Sequence, residues 1–252
     1  MAESCSSRAI VIRWHAYGES DKIATLLTED YGKLTGIAKG ARNSRRRFAN
    51  SLEPLARVRV HFRRRPTASL AFLESCDLLA STAELTEPAK FAYGSYLAEI
   101  TDQLTVEEHP AADVYVLLEE ALVTMQRGPV TSALLRGFEL QLLARSGFDP
   151  PMDRCNLCQR PFDRDDPAYL HLNQGTFSCT DCQVHGEPKA DVPHGLLPRL
   201  AALRELPMSA CQAESLGPAA ADAANLTSRL LSLHLIRPPR SLKLIAQLTT
   251  RG

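Results

Sequence analysis

The chain has 252 residues, of which 44% are hydrophobic and 23% charged, and its formal net charge is zero. This length and composition predict one large or two smaller globular domains and exclude extensive disorder. No run of about 18 apolar residues could span a bilayer. The N-terminus also lacks the basic and apolar segments of a secretory signal. We therefore expect a cytoplasmic protein.

Charge is distributed unevenly along the chain. Residues 1–80 hold 14 Lys and Arg against 8 Asp and Glu, whereas residues 81–252 hold 15 against 21. Such asymmetry favours a basic module that binds a polyanion, joined to an acidic module with another role. A solvated basic face without a ligand would show the same asymmetry, so charge alone leaves both interpretations open.

The first 80 residues have the pattern of short β-strands separated by turns. A plausible hairpin loop with a glycine at its turn lies at 29–33. Five short strands without a long helical period predict a closed barrel of the OB type over residues 1–80. The alternating or β-rich segments lie at 8–14, 23–28, 34–38, 57–63 and 69–73.

From residue 88 onward the hydrophobic period becomes that of α-helices. Gly147 and the prolines just beyond it are typical of a helix C-terminus. We therefore predict an α+β protein in which a helical domain over residues 81–252 follows the barrel. The helical stripes cover residues 91–104, 114–125, 134–143 and 219–235.

Four of the seven cysteines, Cys155, Cys158, Cys179 and Cys182, form the pattern C-x2-C-x20-C-x2-C. An odd cysteine count without a secretory signal argues against disulfides and for metal binding. Two tight turns with two thiolates each can form a tetrahedral shell around Zn²⁺, and iron is a less suitable ion. We predict one structural zinc ion per chain in an insertion at 152–188, because four cysteines leave no position for an activated water.

Other residues near the cysteine pairs leave two alternatives open. His171 or His185 could replace one cysteine as a ligand, although such histidines are more often surface residues. A zinc deaminase would need His-x-Glu ahead of its cysteine pair, and here that pattern follows the second pair. Of the remaining cysteines, we expect Cys76 and Cys211 in the core and Cys5 in a fraying terminus.

A dense group of basic residues lies at 35–65, where ten Lys and Arg accompany one acid, Glu53. Along 57–63, basic residues alternate with apolar ones, which on a strand sends the basic set outward. Arginines suit bidentate contact with phosphates, so this clustering favours nucleic acid over a merely solvated face. The predicted DNA-binding residues are Lys39, Arg42, Arg45, Arg46, Arg47, Arg57, Arg59 and Arg63.

Two aromatic residues could add base stacking to this surface. Trp14 ends the first predicted strand and Phe48 follows the arginine run. Either could stack on bases, yet such residues more often belong to the core.

The sequence lacks the common marks of an enzyme. It has no phosphate-binding loop, no obvious acidic cluster for divalent metals and no nucleophile elbow. We therefore predict a binding protein without catalytic residues.

Four segments together resemble the RecO family of recombination mediators. The N-terminal one is Lys39-Gly40-Ala41-Arg42, followed by Arg47-Phe48 and by Ser51 to Leu55. The central one is the helix motif LRGFEL, residues 135–140, with Leu143 and Gly147. The other two are the cysteine pairs and Arg240-Ser241-Leu242 with Leu244. The segment at 236–240 departs from the glycine-containing turn common in relatives.

The resemblance implies an N-terminal OB domain and a helical domain with an inserted zinc module. It also implies binding of single- and double-stranded DNA and annealing of complementary strands. RecR and the single-strand-binding protein are the implied partners in loading RecA onto DNA, so nucleoid association is expected. The alternative is a zinc-ribbon transcription or RNA-binding factor on an OB scaffold, and an enzyme is the third possibility.

Arg136 is the candidate contact for the acidic, hydrophobic tail of the single-strand-binding protein. It lies one turn from Leu140 on the same side of the helix, where a cation beside an apolar groove could bind carboxylates. The alternative is that Arg136 pairs with a nearby acid on the helix surface.

Overall fold

The computed structural model describes residues 3–64, 69–85, 87–107, 109–163, 166–182 and 186–249. The chain forms two compact units, one spanning residues 1–126 together with 239–252 and the other spanning 127–238. The first unit thus contains two helices and a C-terminal segment besides the strands. Among the helices of the described ranges, none is long and apolar enough to cross a membrane.

A closed five-stranded barrel forms the N-terminal part of the first unit, which confirms the predicted OB-type fold. Its strands follow the order β1-β2-β3-β5-β4, with β3 and β5 parallel and every other pair antiparallel. The strands are β1 (Glu3–Tyr17), β2 (Asp21–Thr28), β3 (Gly32–Ala38), β4 (Arg57–Arg64) and β5 (Ala71–Ala80).

The barrel interior is filled by the apolar half of each alternating strand. On β4, Val58, Val60 and Phe62 are completely buried, while the basic residues between them point away from the core. Tyr31 packs the edge of its ring against Phe62 at a centroid distance of 5.3 Å. Burial of each such side chain contributes roughly 1.5–3 kcal/mol, so the period-two pattern determines which face of β4 stays outside.

Strand β5 begins later and runs further than the predicted segment at 69–73. It continues to Ala80 through Glu74 and Asp77, polar residues that seemed to end the pattern. Backbone pairing with β4, from Arg63 opposite Phe72 to Arg57 opposite Ala80, extends the strand. The outward face of a barrel strand tolerates charged side chains, so a prediction based on hydropathy placed the end of β5 too early.

The predicted helical part is confirmed, with seven α-helices in the described residues. The 91–104, 114–125 and 134–143 stripes fall in the first three. The helices are α1 (Pro88–Leu104), α2 (Ala112–Arg127), α3 (Ser132–Arg145), α4 (Leu196–Glu205), α5 (Met208–Ala213), α6 (Ala220–Ser232) and α7 (Ser241–Thr249).

Helices α1 and α2 belong to the same unit as the barrel. Ile10 and Ile12 lie on the outer face of β1 and are nevertheless buried, at 0% and 7% exposure. Arg8, on the same strand, donates to both carboxylate oxygens of Glu119 on α2, at 2.5 and 2.6 Å. The Arg8–Glu119 ion pair joins α2 to this side of the barrel, where the two isoleucines are buried.

The last helix, α7, packs against α1 and begins at a carboxylate from that helix. Glu99 accepts hydrogen bonds from the backbone N–H groups of Arg240 and Ser241, at 2.8 and 3.0 Å, and from Ser241 Oγ at 2.9 Å. The first N–H groups of a helix have no partner within the helix, so an external acceptor stabilises its start. This clasp gives the Arg240-Ser241-Leu242 motif its structural role.

Helix α3 is the buried centre of the second unit. A Cβ on Gly137 would lie 2.6 Å from Cys211 Sγ, so only glycine permits the close approach of α5. Gln141 donates to the backbone carbonyls of Leu203 and Leu206, at 3.3 and 2.7 Å, and so satisfies the end of α4. These contacts explain why a polar, glycine-containing motif occupies a buried helix.

Residues 168–192, most of which lie in the insertion predicted at 152–188, form a small three-stranded sheet around the second cysteine pair. Its strands are β6 (Ala168–His171), β7 (Thr176–Cys179) and β8 (Lys189–Val192), in the order β7-β6-β8. Gly175, at φ 67°, makes the tight turn between β6 and β7. The sheet brings the second cysteine pair to the end of β7.

Replacing Glu99 with Ala is expected to lower the free energy of unfolding by about 1–2 kcal/mol, because the start of α7 loses its acceptor. Urea unfolding followed by circular dichroism would measure the change. Glu120→Ala, at an exposed position of α2, is the matched control and should stay within about 0.5 kcal/mol. Equal losses in both variants would contradict the clasp.

Candidate functional site

The four paired cysteines meet at one point of the second unit. Their Sγ atoms all lie within 4.8 Å of one another, and those of Cys158 and Cys179 are 3.8 Å apart. Metal–sulfur bonds of about 2.3 Å in a tetrahedron place sulfurs about 3.8 Å apart. The four thiols therefore fit one metal ion as the predicted ligand set.

Backbone hydrogen bonds shape the first cysteine turn. The N–H of Cys155 donates to Arg160 O and that of Gln159 donates to Cys155 O, at 2.8 and 2.9 Å. Gln159 adopts a left-handed conformation, φ 61°, which closes the turn. Asn156 N–H donates to Phe177 O at 2.8 Å, so the turn lies directly against β7. The second pair follows at once, because β7 ends at Cys179 and a single 3-10 turn reaches Cys182.

The surroundings of the cysteines favour at least one thiolate. Burial opposes ionisation of Cys155, but hydrogen bonds from the backbone N–H groups around Cys158, Cys179 and Leu157 outweigh it and lower its pKa to about 6. Hydrogen bonds with Cys158 and Cys179 raise the pKa of Cys182 to about 12. A bound divalent cation would supply the charge that stabilises the remaining thiolates.

His171, the alternative ligand, is occupied elsewhere. Its Nε2 lies 2.7 Å from Ser178 Oγ and its Nδ1 lies 3.3 Å from Glu187 Oε2, so both ring nitrogens have partners. Ser178 is completely buried, and the row of serine, histidine and glutamate therefore supports the small sheet and is not an accessible nucleophile. His185 lies outside the described residues.

The three single cysteines are all in the core. Burial raises the pKa of Cys76 to about 12 and that of Cys211 to about 11, as expected for inert thiols. The prediction for Cys5 is wrong. Cys5 lies in β1, opposite Phe62 of β4, and is only 8% exposed. Strand β1 starts five residues before the apolar segment that marked it in the sequence, at Glu3.

A cation-rich segment at 39–47, here called the arginine loop, follows β3. All of its basic side chains are exposed, and in the described part of the chain none of them has a carboxylate partner. Arg42 and Arg47 donate only to the backbone carbonyls of Glu19 and Lys39, at 3.0 and 2.8 Å. Their charges are therefore not neutralised. The cations are Lys39, Arg42, Arg45, Arg46 and Arg47.

Hydrogen bonds fix the arginine loop to the turn between β1 and β2. Asp21 Oδ1 accepts from Gly40 N–H at 2.8 Å, and the N–H of Arg42 donates to Ser20 O at 3.0 Å. Gly40 has φ 67°, a conformation that favours glycine. Asp21 was missed in the sequence, although an aspartate at a turn often binds a backbone N–H.

Strand β4 presents its basic row outward as predicted, but acids neutralise most of it. Arg57 is only 16% exposed and lies 3.3 Å from Glu84 Oε2. Arg63 pairs with Glu74 at 2.6 Å, and His61 Nε2 lies 3.0 Å from Asp77 Oδ2. Arg59 is exposed and has no polar partner among the described residues. Among the predicted arginines on β4, Arg59 is therefore the one whose charge is least neutralised within the protein.

The two aromatic candidates for base stacking belong mainly to the barrel core. Phe48 is 4% exposed and packs in the core cluster. Trp14 is partly buried against the same cluster, and Lys22 Nζ lies 3.7 Å from its ring centroid. Neither ring has an open face comparable to that of an exposed aromatic side chain.

Arg136 is buried inside α3 and does not lie on a helix surface. Its side chain is 10% exposed, and its Nη2 donates to Glu139 Oε1 at 2.6 Å, with Glu139 1% exposed. Only about a tenth of the Arg136 side chain is accessible to a partner's carboxylate, and its guanidinium already has a counterion in Glu139. The predicted role of Arg136 in binding a protein tail stays a prediction.

The fold and the two sites define a class of protein: an OB-type barrel with an unneutralised cationic loop, combined with a helical part that carries a four-cysteine metal-binding module. Two family models match the chain. "Recombination protein O N terminal" matches residues 1–82, and "Recombination protein O C terminal" matches residues 85–243.

Relatives named "DNA repair protein RecO" share about a third of their residues with this chain. The one from Myxococcus xanthus (strain DK1622) is 37% identical over 199 residues, which cover 78% of this chain and 80% of the relative. The one from Anaeromyxobacter sp. (strain K) is 32% identical over 231 residues, 90% of each chain. The chain therefore belongs to the RecO family, whose proteins act in DNA repair and recombination.

Replacing Cys155 and Cys158 with Ala is expected to remove one bound metal ion per chain and lower the melting temperature by about 5 °C or more, because metal binding contributes to folding. Elemental analysis and thermal unfolding would measure the two effects. Leu157→Ala, at a 52% exposed position in the same turn, should retain the metal. The assignment fails if the wild-type protein binds no metal.

Proposed function

We propose that this chain binds single- and double-stranded DNA through the arginine loop, with Arg59 on β4 extending the contact and Arg63 joining it by exchanging Glu74 for a phosphate. The observation that carries the proposal is the set of exposed cations in the loop that lack a carboxylate partner among the described residues. Cations without internal partners release counterions from phosphates when DNA binds, and that release is the main source of affinity. Arg57 acts mainly within the protein, through Glu84.

In this proposal the protein anneals complementary strands and, with RecR, helps to load RecA onto DNA coated with single-strand-binding protein. Membership in a DNA repair and recombination family supports it. DNA binding would place the protein at the nucleoid. Contacts with phosphates carry no sequence information, which suits a protein that must act on any damaged strand. The acidic tail of the single-strand-binding protein is the proposed partner segment, and Arg136, largely buried beside Glu139, is its proposed contact.

The metal in this proposal is zinc, and its role is structural. Four thiolate ligands in a tetrahedron favour Zn²⁺ and leave no position for an activated water. The cysteine turns lie against β7 and so hold the small sheet at its edge. The protein accordingly acts by binding and not by catalysis.

Replacing Arg45 and Arg46 with Ala is expected to weaken DNA binding roughly 10- to 30-fold at 0.1 M salt and to slow strand annealing, because two phosphate contacts are lost. The slope of log K against log salt should become shallower by about 1.4 for single strands. Binding titrations at several salt concentrations measure the first effect. Annealing of strands coated with single-strand-binding protein measures the second.

A matched control for that variant is Arg145→Ala combined with Arg229→Ala. Both arginines are exposed and have no carboxylate partner among the described residues, so the loss of charge is the same. The control should bind and anneal like the wild type. Equal effects of the two variants would show that net charge, and not the arginine loop, governs binding.

Arg57 and Arg59 provide a second test on one strand. Arg59→Ala is expected to weaken DNA binding about fivefold without changing stability, because its guanidinium is exposed and unpaired in the described structure. Arg57→Ala should instead lower the free energy of unfolding by about 1 kcal/mol, because Glu84 and Gln126 lose their partner. Titrations and urea unfolding of both variants decide the matter, and the reverse pattern would contradict the assignment.

A further inference from the structure

We propose that Tyr17 is a stacking platform for an unpaired base of a single-stranded nucleic acid whose phosphates contact the arginine loop. This inference rests on the proposed function and adds a residue that discriminates between single strands and duplexes. Tyr17 ends β1 at the tip of the β1–β2 hairpin, and it is 54% exposed. In the described part of the chain, its ring has no aromatic or cationic contact.

The position of Tyr17 beside the arginine loop follows from the hairpin register. Tyr17 and Asp21 are directly opposite each other across β1 and β2. Side chains of opposite residues in an antiparallel pair lie on the same face, with Cβ atoms about 4.5–5.5 Å apart. The Asp21 carboxylate in turn accepts from Gly40 N–H at 2.8 Å. The tyrosine ring therefore starts next to the segment from which the loop's cations extend.

Hydrogen bonds also join the hairpin to the loop. Arg42 is bound twice to the turn that follows Tyr17, through its backbone N–H to Ser20 O and through its guanidinium to Glu19 O, both at 3.0 Å. Because carbonyls neutralise no charge, Arg42 keeps its full attraction for a phosphate. A stacking ring and a cation on neighbouring, hydrogen-bonded segments suit the base and the phosphate of one single strand.

The chemistry of the pair selects for single strands. A tyrosine ring stacks on any base, but only a base that is free of its partner strand exposes a face to it. Duplex DNA would contact the cations alone, through its phosphates. Tyr17 should therefore contribute to binding of single strands and contribute nothing to binding of duplexes.

The experiment compares wild type, Tyr17→Ala and Tyr17→Phe in the full-length chain. Each is titrated with a labelled oligothymidine, with an abasic oligonucleotide of the same length and with a duplex. Tyr17→Ala is expected to lose about fivefold or more of its affinity for oligothymidine, in keeping with base–aromatic stacking. Tyr17→Phe should bind like the wild type. The abasic strand and the duplex should bind Tyr17→Ala and wild type equally, with unchanged salt slopes.

Phe72 provides the matched control, because it is an aromatic side chain on β5 of the same barrel and is 38% exposed. Phe72→Ala should bind oligothymidine like the wild type. A loss in that variant, with Tyr17→Ala unaffected, would move the stacking site to β5 and overturn the proposal. Equal losses by Tyr17→Ala on oligothymidine and on the abasic strand would also overturn it, since no base would be involved. A wild-type protein that binds none of the three probes would overturn the proposed function itself.

Discussion

The barrel and the surfaces on it depend on the long strand β1, whose two halves pair with different strands. The first half of β1 pairs with β4, from Glu3 to Ile10, and its second half pairs with β2, from Ala9 to Tyr17. The two pairings overlap at Ala9 and Ile10, and a bulge follows between Val11 and Arg13. Val11 satisfies its backbone there by donating to Ala56 O and accepting from Leu55 N–H, at 3.0 and 2.7 Å. A bulge increases local twist, and that twist lets a strand of this length close a small barrel.

This closure decides which charges stay available. On the covered side, Arg8 pairs with Glu119 of α2, and Arg57 pairs with Glu84, which lies just before α1. At the far end of β1, the β1–β2 hairpin binds the arginine loop through Asp21, which accepts from Gly40 N–H. Basic residues thus fall into two groups, those that hold the unit together and those without internal partners. Only the second group can exchange water and counterions for phosphates at low cost.

Periodicity and spacing in the sequence predicted much of this architecture. Strands that alternate, such as 57–63, and helices with clear stripes were found because burial of one face dominates their energetics. The metal-ligand set was found because four thiolates at that spacing have few other roles. The pairing of Arg57 and Arg63 with acids was not predictable, since Glu84 and Glu74 reach them only through the fold.

Other features escaped prediction for related reasons. The strands β6 and β7 are four residues each, too short for a hydrophobic period to develop. Arginine usually lies on the surface, so the sequence did not predict that Arg136 is buried. Glu139, one turn away on α3, pairs with Arg136 and allows both side chains to be buried. Cys5 precedes any apolar alternation, and only pairing with β4 draws it into the core.

The arginine loop combines rigid and adaptable cations, and this combination has consequences for binding. Arg42 and Arg47 each donate to a backbone carbonyl, which fixes the guanidinium while leaving other N–H groups for phosphates. Arg45 and Arg46 have no polar partner in the described structure and can follow a backbone of variable path. Fixed donors lose little entropy on binding, whereas free ones tolerate different strand geometries. Because both kinds act on phosphates, the loop can hold two strands of any sequence, as a protein that brings complementary strands together requires.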